Sequence, residues 1–558
     1  MHSVLSALLL LANASASPPA SAADVRAKVD AVFREYDRSD SPGCALGVYR
    51  DGRIVYERGY GMANLELGVA NSPQSVFDIG STAKQFTAFS IHLLARDGKL
   101  SLDDDIRKWV PEVPSYGRTI TIRHLLHHTS GLRDYIEAMS LQGVQEADWT
   151  TDEDALSAIS RQKAPNFAPG EEYLYSNTGY FLLSVVVRRA SGQSLRDFAQ
   201  DRIFGPLGMR HTQFDESHSR IIPNRATGYA KADGGGFEID MGNWEQNGDG
   251  GLQTTVEDLQ LWDQNFYQPK VGDRALLDAM LQDGVLNNGK KIGYASALAP
   301  GTYRGLPTVS HGGAWVGYRA QLLRFPEQHF SVACLCNLAE ANTTALAYGV
   351  ADVYLAAILK PVEPPKPSPK AASSKASAAD LQRLAGSYRE SSSFDVYTLE
   401  AAQGQLEGKV GRRTIRLVPE GAGRFRLEGL AGGPRNVEVV AAKSGARPSL
   451  RVSHTEDGEV ETETFEPVTL WSPTAAELAR FAGRYESEEL DTTWTLAVDD
   501  GKLFIRHRGL PVEALHPSVT GVFAVRGIVL AFQQDSGGKV TGFTVNEGRV
   551  RGIAFRKT

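Results

Sequence analysis

A proline-rich stretch divides this chain of 558 residues into two unlike parts. Residues 361–378 consist mainly of Pro, Ala, Ser and Lys. Proline removes backbone donors and stiffens the chain, and an Ala/Ser/Lys tract cannot build a core. We interpret this stretch as an interdomain linker, because a chain of this length exceeds what one hydrophobic core supports.

An internal repeat follows the linker. Leu384-Ala-Gly-Ser-Tyr388 recurs as Phe481-Ala-Gly-Arg-Tyr485, 97 positions later. Both copies continue as short alternating stretches that are separated by Gly and Asp, a pattern typical of antiparallel β hairpins that close into a barrel or sandwich. We therefore predict two small antiparallel β-barrel modules, at residues 379–470 and 475–558.

Residues 24–360 combine strand and helix patterns. Asp51-Gly52 marks a hairpin turn. Helical periodicity fits residues 82–96 and 178–191, and strand patterns return near Val309 and at residues 321–337. Strands at both ends with helices between them predict an α+β domain with one antiparallel sheet.

The N-terminus has the pattern of an export signal. Residues 4–12 form a short apolar run, and Ala20-Ser-Ala22 is a small-residue cleavage pattern, although Met1-His-Ser3 contains no Lys or Arg. We expect a signal peptide at residues 1–22 and a periplasmic or secreted protein; the alternative is a disordered apolar tail. No later apolar run is long enough to span a bilayer.

Charge and cysteine content exclude several classes of function. A net charge of -7 provides no broad basic field, so a nucleic-acid partner is not expected. The three cysteines, Cys44, Cys334 and Cys336, cannot form a disulfide framework. Cys334 and Cys336 would share one face of a buried strand, where we expect core packing rather than metal or redox chemistry.

Ser81 and Lys84 are the first candidate catalytic pair. They lie where a helix would begin, and a spacing of three residues places both side chains on one face. A serine hydroxyl needs an adjacent base, which a lysine provides when burial and nearby cations lower its pKa. The same Ser-x-x-Lys pattern at Ser160 and Ser536 lacks a suitable helix start, and we interpret both copies as chance.

Two further elements accompany this pair. Tyr175 and Asn177 form a Tyr-x-Asn motif just before a predicted helix, where a phenol could relay protons and an amide could hold a substrate carbonyl. His311 is followed by two glycines, so that a substrate could approach the strand at Gly313, with the N–H of Ala314 facing an oxyanion. Lys270-Val-Gly and Lys291-Ile-Gly compete for the third motif but lack the paired glycines and the following strand.

These three motifs, in this order, resemble those of class C β-lactamases and related penicillin-binding proteins over residues 24–360. The resemblance implies a β-lactamase/transpeptidase-like catalytic domain with Ser81, Lys84, Tyr175 and His311 as catalytic residues. Asn177, Gly313 and Ala314 would bind substrate, and neither a metal nor a cofactor is implied. With two lipocalin-like β modules after it, the chain is most similar to the D-aminopeptidase branch.

Two details qualify this resemblance. In the D-aminopeptidase branch a long hairpin of the last barrel reaches the catalytic cleft, whereas the matching stretch here, residues 522–532, turns tightly at Arg526-Gly527. His124, His127 and His128 could suggest a metal site, but no carboxylate or cysteine accompanies them in the motif. We interpret these histidines as packing and loop anchors.

The resulting hypothesis is an exported serine hydrolase that forms an acyl-enzyme. Because His311 is largely neutral near pH 7, recognition of a substrate carboxylate would be weak, which favours amides and peptides that lack this demand. We expect cleavage of amide or peptide bonds of small D-amino-acid-containing peptides, as by a D-aminopeptidase or a D-Ala carboxypeptidase-like enzyme. A β-lactamase and a short-chain esterase are alternatives within the family. A catalytically idle protein that binds peptides or cell wall is the alternative from another class; the oligomeric state stays open.

Overall fold

The computed structural model describes residues 22–558 except 362–376, 391–395, 403, 411–412, 422, 431–434, 443–445, 457–458 and 511–512. Almost all of the predicted signal peptide and most of the predicted linker lie outside the described residues, and both stay predictions. Among the helices that are described, none is long and apolar enough to cross a membrane.

The first part of the chain, up to residue 361, contains thirteen strands and eleven α-helices within its described residues. The strands are β1 (Cys44–Arg50), β2 (Arg53–Tyr60), β3 (Met62–Asn64), β4 (Val69–Ala70), β5 (Phe77–Asp78), β6 (Gln213–Phe214), β7 (Tyr229–Lys231), β8 (Phe237–Ile239), β9 (Leu252–Thr254), β10 (Ala299–Tyr303), β11 (Leu306–Trp315), β12 (Tyr318–Phe325) and β13 (Phe330–Cys336). The helices are α1 (Ala22–Val32), α2 (Lys84–Arg96), α3 (Ile122–Leu126), α4 (Tyr135–Gln142), α5 (Asp152–Ser160), α6 (Asn177–Ser191), α7 (Leu195–Ala199), α8 (Gly205–Leu207), α9 (Val256–Asn265), α10 (Arg274–Met280) and α11 (Thr343–Tyr354).

An antiparallel sheet of six strands, in the order β10-β11-β12-β13-β1-β2, separates two helical layers. Strand β13 is buried along its whole length, and its residues alternate between the two layers. Val332 and Cys334 pack with α1 and α11, whereas Ala333 and Leu335 belong to the core formed with the other helices. Because both faces are covered, β13 reads as a continuous apolar run.

The hairpin predicted at Asp51-Gly52 is confirmed. Arg50 pairs with Arg53, and the two turn residues have φ angles of +51° and +72°. Two successive positive φ angles are the geometry of the tight turn that matches the twist of the flanking strands. Strand β1 therefore returns directly along β2 at the edge of the sheet.

The expectation that Cys334 and Cys336 serve as core packing is wrong for Cys336, which forms a disulfide with Cys44. Cys44 and Cys336 face each other on the neighbouring strands β1 and β13 and form a disulfide across 292 positions of sequence. Cys334 is a buried free thiol whose Sγ lies 3.8 Å from Cys336 Sγ, so these two cysteines do share a face. The disulfide was not predictable, because only the sheet order brings the first strand beside the last.

Two closed eight-stranded antiparallel barrels follow, and the predicted fold class is confirmed. The first consists of β14 (Gly386–Glu390), β15 (Val396–Ala402), β16 (Gln405–Val410), β17 (Arg413–Gly421), β18 (Arg424–Glu428), β19 (Arg435–Val440), β20 (Ser449–Glu456) and β21 (Glu459–Val468). The second consists of β22 (Gly483–Ser487), β23 (Thr492–Asp499), β24 (Lys502–Arg506), β25 (Ala514–Pro517), β26 (Val522–Val525), β27 (Ile528–Gln534), β28 (Val540–Glu547) and β29 (Val550–Lys557).

The repeated sequence motif has the same structural role in both barrels. A short helix precedes each first strand: α12 (Ala378–Leu384) in the first barrel and α13 (Ala475–Ala479) in the second. The Tyr388 hydroxyl donates to the Leu384 carbonyl at 2.9 Å, and the Tyr485 hydroxyl donates to the Phe481 carbonyl at 2.7 Å. Each buried tyrosine thereby fixes the chain that enters its barrel.

The second barrel packs directly against the first part of the chain. Ala138 and Leu141 of α4 belong to the same apolar cluster as the barrel interior, and Trp494 Nε1 donates to the Leu141 carbonyl at 3.2 Å. Arg133 and Glu489 form a buried ion pair across the interface at 2.5 Å. Barrel and helix therefore share one core.

Candidate active site

Ser81 lies in a 3₁₀ turn, Gly80–Ala83, that leads directly into α2. The sequence predicted an α-helix from residue 82, whereas α2 begins at Lys84. Side chains three residues apart are eclipsed in a 3₁₀ turn. The turn therefore brings the two side chains into register. Lys84 Nζ lies 2.9 Å from Ser81 Oγ, which is hydrogen-bonding distance.

Asp78 and the strand β11 hold this turn. Asp78 Oδ1 accepts from the Gly80 N–H at 2.7 Å, and Asp78 Oδ2 accepts from Gln253 Nε2 at 2.9 Å. Burial raises the pKa of Asp78 to about 7. Gly80 has a φ of +48°, and a Cβ there would lie 2.6 Å from the Ala314 nitrogen. Only glycine therefore fits at this position.

Lys84 is completely buried and uses all three ammonium hydrogens. Besides Ser81 Oγ, its Nζ donates to Asn177 Oδ1 at 2.8 Å and to the Asp249 carbonyl at 2.6 Å. Burial lowers the pKa of Lys84 below its ordinary value of 10.5, while the negative charges of Asp249 and Asp134 oppose that shift. This is the environment in which a lysine becomes a base near neutral pH.

Tyr175 lies on the other side of the cation. Lys84 Nζ is 5.0 Å from the Tyr175 ring centroid. The Tyr175 hydroxyl is buried and makes no hydrogen bond of full geometry among the described residues. Burial raises the pKa of Tyr175, and its interaction with the Ser81 hydroxyl and the charge of Arg549 oppose that rise. The Tyr175 hydroxyl therefore faces Ser81, as a proton relay requires.

A relay of hydrogen bonds fixes the tautomer of His311. Ser176 N–H donates to His128 Nδ1 at 3.1 Å, so His128 Nε2 carries the proton and contacts the Tyr294 hydroxyl at 3.2 Å. Tyr294 then donates to His311 Nε2 at 2.9 Å, and His311 Nδ1 donates to the Gly312 carbonyl at 2.7 Å. Burial lowers the pKa of His311 to about 4, so the imidazole carries no charge near pH 7.

Strand β11 and the 3₁₀ turn approach each other closely enough to form an oxyanion site. A Cβ on Gly313 would lie 1.9 Å from the Ile79 carbonyl oxygen, so glycine is required there. The Ala314 nitrogen lies beside Gly80, one residue before Ser81. The backbone N–H groups of Ser81 and Ala314 thus lie on the two elements that meet beside the Ser81 side chain.

A cleft of about 970 Å³ opens in front of these residues. Six of the seven predicted site residues line it; Lys84 lies beneath its floor. Trp244 and Trp315 form an aromatic wall with ring centroids 5.7 Å apart. Arg319 also lines the cleft, and its Nη1 donates to the Val316 and Tyr318 carbonyls. Those two contacts hold the Arg319 guanidinium against the strand turn.

The three-histidine segment separates as the structure folds. Helix α3 ends at Leu126, before His127, so the histidines do not share a helix face. His124 Nδ1 accepts from the Thr121 N–H and caps α3. His128, with a φ of +55°, turns inward to the Tyr294 relay. The anchoring role predicted for the segment therefore extends, at His128, to the neighbourhood of the candidate site.

Sequence reasoning missed several residues of the site. Asp134, Asp249, Tyr294 and Arg549 contact or influence the predicted set but belong to no short motif. Asp134 could have been noticed as a helix cap before α4, because its Oδ1 accepts from two N–H groups of the first turn. The others come from distant segments, and no local signal marks them.

The hairpin at residues 522–532 is short, as predicted, with its turn at Arg526 and Gly527. It does not line the cleft. A different hairpin of the second barrel, between β28 and β29, does so through Arg549. The second barrel therefore reaches the cleft through its β28–β29 hairpin and not through the hairpin at residues 522–532.

Comparisons with known proteins agree with this architecture. A family model described as Beta-lactamase matches residues 29–355. A D-aminopeptidase of Cereibacter sphaeroides (strain ATCC 17023) is 28% identical over 490 residues, which cover 87% of this chain and 88% of that protein. Penicillin-binding protein 4* of Bacillus subtilis (strain 168) is 32% identical over 315 residues, covering 52% of this chain and 66% of that protein.

A solved structure shows the same fold. The octameric penicillin-binding protein homologue from Pyrococcus abyssi superposes with a TM-score of 0.56 at 24% identity, covering 80% of this chain and 99% of that chain. The family match spans more than half of the present chain, and the D-aminopeptidase match covers 87% of it, more than residues 29–355 alone. This chain belongs to the β-lactamase family of serine hydrolases.

Proposed function

We propose that this chain is an exported serine hydrolase that cleaves amide or peptide bonds of small D-amino-acid-containing peptides through an acyl-enzyme at Ser81. The observation that carries the proposal is the hydrogen bond of 2.9 Å between Ser81 Oγ and the completely buried Lys84. A lysine whose pKa is lowered in this way can accept the serine proton.

The mechanism follows from the positions of these groups. Lys84, with Tyr175 beside it, takes the proton from Ser81 Oγ as that oxygen forms a bond to the substrate carbonyl carbon. The N–H groups of Ser81 and Ala314 stabilise the oxyanion, one such donor being worth about 3 kcal/mol. The bond to the leaving amine then breaks, and the proton passes through Tyr175 to the amine. Water repeats the sequence and releases the acid.

Charge in the cleft supports an amide substrate without a carboxylate handle. His311 is neutral, and Arg549 is paired with carboxylates. Arg319 also lines the cleft, but its Nη1 is directed to the Val316 and Tyr318 carbonyls. A β-lactamase or D-alanine carboxypeptidase substrate offers a carboxylate that would need a cation in this region. The 28% identical D-aminopeptidase is in keeping with this preference.

Intact-mass spectrometry of wild type, Ser81→Ala and Ser536→Ala after exposure to a fluorophosphonate tests the nucleophile. Ser536 is the matched control, because it begins a second Ser-x-x-Lys sequence on the last barrel. We expect one adduct on wild type and on Ser536→Ala, mapped to the Ser81 peptide, and none on Ser81→Ala. An unlabelled but folded wild type would contradict the proposal and favour a binding protein.

Substrate class is tested by turnover. Hydrolysis of a D-alanine p-nitroanilide is the expected result. Activity on p-nitrophenyl acetate alone would indicate an esterase, and rapid hydrolysis of a cephalosporin would indicate a β-lactamase. Either result would be compatible with Ser81 as the nucleophile but would contradict the proposed specificity for peptides.

Export is the remaining part of the proposal. It is supported by the N-terminal pattern and by the Cys44–Cys336 disulfide, because such bonds persist in oxidising compartments. N-terminal sequencing of protein expressed in a bacterial host should find a start after Ala22 in the periplasmic or culture fraction. Intact protein found only in the cytosol would contradict export.

A further inference from the structure

Arg549 is the residue of the second barrel that lines the cleft, among the residues that the structure describes. It lies in the turn between β28 and β29, more than 460 positions after Ser81 in the sequence. Its guanidinium carbon lies 5.9 Å from the Tyr175 ring centroid. A guanidinium at this distance from an aromatic ring is within the range of a cation–π contact.

The hairpin is anchored to the first part of the chain by backbone and side chain together. Glu137 accepts from the Arg549 N–H at 2.6 Å and from Arg549 Nε at 2.7 Å. Asn166 Nδ2 donates to the Arg549 carbonyl at 2.8 Å. Arg549 is therefore fixed in direction before any substrate binds, and a mobile surface arginine would not have these contacts.

Asp134 links Arg549 to the proposed catalytic residues. Arg549 Nη1 lies 3.3 Å from Asp134 Oδ2, and the Asp134 side chain has no exposed surface. The same Oδ2 accepts from the Asn177 N–H at 2.7 Å. Asn177 in turn holds Lys84 Nζ through its Oδ1 at 2.8 Å. A continuous path of polar contacts thus runs from the barrel hairpin to the proposed base.

We propose that Arg549 is a positioning residue through which the second barrel completes the catalytic centre. Its guanidinium balances the buried Asp134 carboxylate and faces Tyr175, which keeps Asn177, Lys84 and Tyr175 in the arrangement needed for proton transfer. The inference rests on the proposed function, because it assigns Arg549 a part in that reaction. It gives the second barrel a role in catalysis and not only in stability.

The electrostatic consequence has a definite sign. The charged groups that face Lys84 are Asp249, Asp134 and Arg549, and the imidazoles of His128 and His311 nearby have lowered pKa values. The guanidinium itself faces Asp134, Glu137 and Tyr175, and Glu547 lies next to Glu137. The positive charge of Arg549 lowers the pKa of Lys84 and opposes the rise at Tyr175.

Loss of this charge therefore moves both candidate bases in the same direction. The pKa of Lys84 and that of Tyr175 would rise, so a higher pH would be needed before either group accepts the Ser81 proton. The acid limb of kcat/KM would shift to higher pH. A purely structural role of Arg549 would lower the amount of folded protein without moving this limb.

The test compares Arg549→Gln and Arg549→Lys with the control Arg508→Gln across pH 5–10. Arg508 also belongs to the second barrel and pairs with Asp148 across the same interface, at 2.5 Å and exposed, but it does not line the cleft. The readouts are kcat and KM on a D-alanine p-nitroanilide and the rate of Ser81 labelling by a fluorophosphonate.

We expect Arg549→Gln to lower kcat about 10- to 100-fold, since small misplacements of reacting groups have effects of this size. Its acid limb should lie at higher pH than that of wild type. Arg549→Lys should restore the limb, because the charge is kept, but only part of kcat, because an ammonium lacks the planar fork. Arg508→Gln should behave as wild type.

Several results would overturn the inference. One is an acid limb of Arg549→Gln that matches that of wild type. Another is an equal loss of kcat in Arg549→Gln and Arg508→Gln, which would indicate that both arginines only hold the second barrel against the first part of the chain. Circular dichroism shows whether each variant is folded. If Arg549→Gln is unfolded, the inference is tested on Arg549→Lys alone. A kcat of Arg549→Lys equal to that of wild type would then contradict the inference. Absence of Ser81 labelling in wild type would instead refute the proposed function, whatever the Arg549 variants do.

Discussion

At the scale of single residues, the main feature of the candidate site is an ammonium group that is fully buried within the protein. Lys84 has no exposed surface, and its three hydrogens go to Ser81, Asn177 and the Asp249 carbonyl. Each of these acceptors compensates part of the cost of burying the charge. Burial nevertheless lowers the pKa of Lys84, and the neighbouring charges determine by how much.

Asp249→Asn should shift the acid limb of kcat/KM to lower pH. The Asp249 charge raises the pKa of Lys84 and that of Tyr175, so its removal lowers both and allows either group to lose its proton at lower pH. This shift is opposite in sign to the one expected for Arg549→Gln. The pH dependence of turnover measures it.

The control for this prediction is Asp215→Asn. Asp215 also lines the cleft, but the charged groups that it acts on are Arg220, Arg225 and Asp78. It is not among the groups that shift the pKa of Lys84 or Tyr175. Its acid limb should coincide with that of wild type. Identical limbs for Asp249→Asn and wild type would mean that neither Lys84 nor Tyr175 determines the acid limb.

At the scale of elements, two local structures bring the site together. The 3₁₀ turn Gly80–Ala83 aligns the side chains of Ser81 and Lys84 one above the other. Strand β11 presents His311, Gly313 and Trp315 on one face of the sheet. The turn and the strand approach so closely that Gly80 and Gly313 admit no side chain. Catalytic geometry therefore depends on the sheet retaining its order.

The Cys44–Cys336 bond should stabilise this sheet. It joins β1 to β13 and closes a loop of nearly three hundred residues, and loss of a native disulfide typically costs about 2–5 kcal/mol. We expect the double variant Cys44→Ala/Cys336→Ala, and wild type in reductant, to unfold at lower urea concentration. Cys334→Ala should retain the sensitivity to reductant. Urea unfolding of wild type that does not change with reductant would contradict the prediction.

At the scale of the whole molecule, the second barrel and the catalytic part are joined by a buried ionic contact. Arg133 and Glu489 are 3% and 5% exposed, and Glu489 Oε2 also accepts from the Lys163 N–H at 2.8 Å. Removing one member of such a pair leaves an uncompensated buried charge. The interface is therefore a cooperative part of the fold.

Glu489→Gln should lower the free energy of unfolding by about 3–5 kcal/mol. The neighbouring Glu488→Gln is the matched control, because Glu488 is 61% exposed and its ion pairs with Lys163 and Arg556 lie in solvent. The free energy of unfolding of Glu488→Gln is expected to stay close to that of wild type. Urea unfolding followed by tryptophan fluorescence compares the two, and equal stabilities would show that the buried pair contributes nothing specific.

The sequence by itself determined what depends on local pattern. Alternation and the repeat of 97 residues predicted two β barrels, and turn chemistry predicted the hairpin at Asp51-Gly52. Ser81 with Lys84 and Tyr175 with Asn177 could be paired because each pair lies within one turn of chain at a helix start. Short-range spacing constrains side chains that share an element.

Only the tertiary structure decided the contacts between distant segments. The Cys44–Cys336 bond requires β1 and β13 to be neighbours, and the relay from His128 through Tyr294 to His311 joins three separate loops and strands. Arg549 reaches Tyr175 because the second barrel shares a core with α4. No spacing in the sequence records such contacts, because they are fixed by how buried apolar surfaces pack, and packing joins residues irrespective of their distance along the chain.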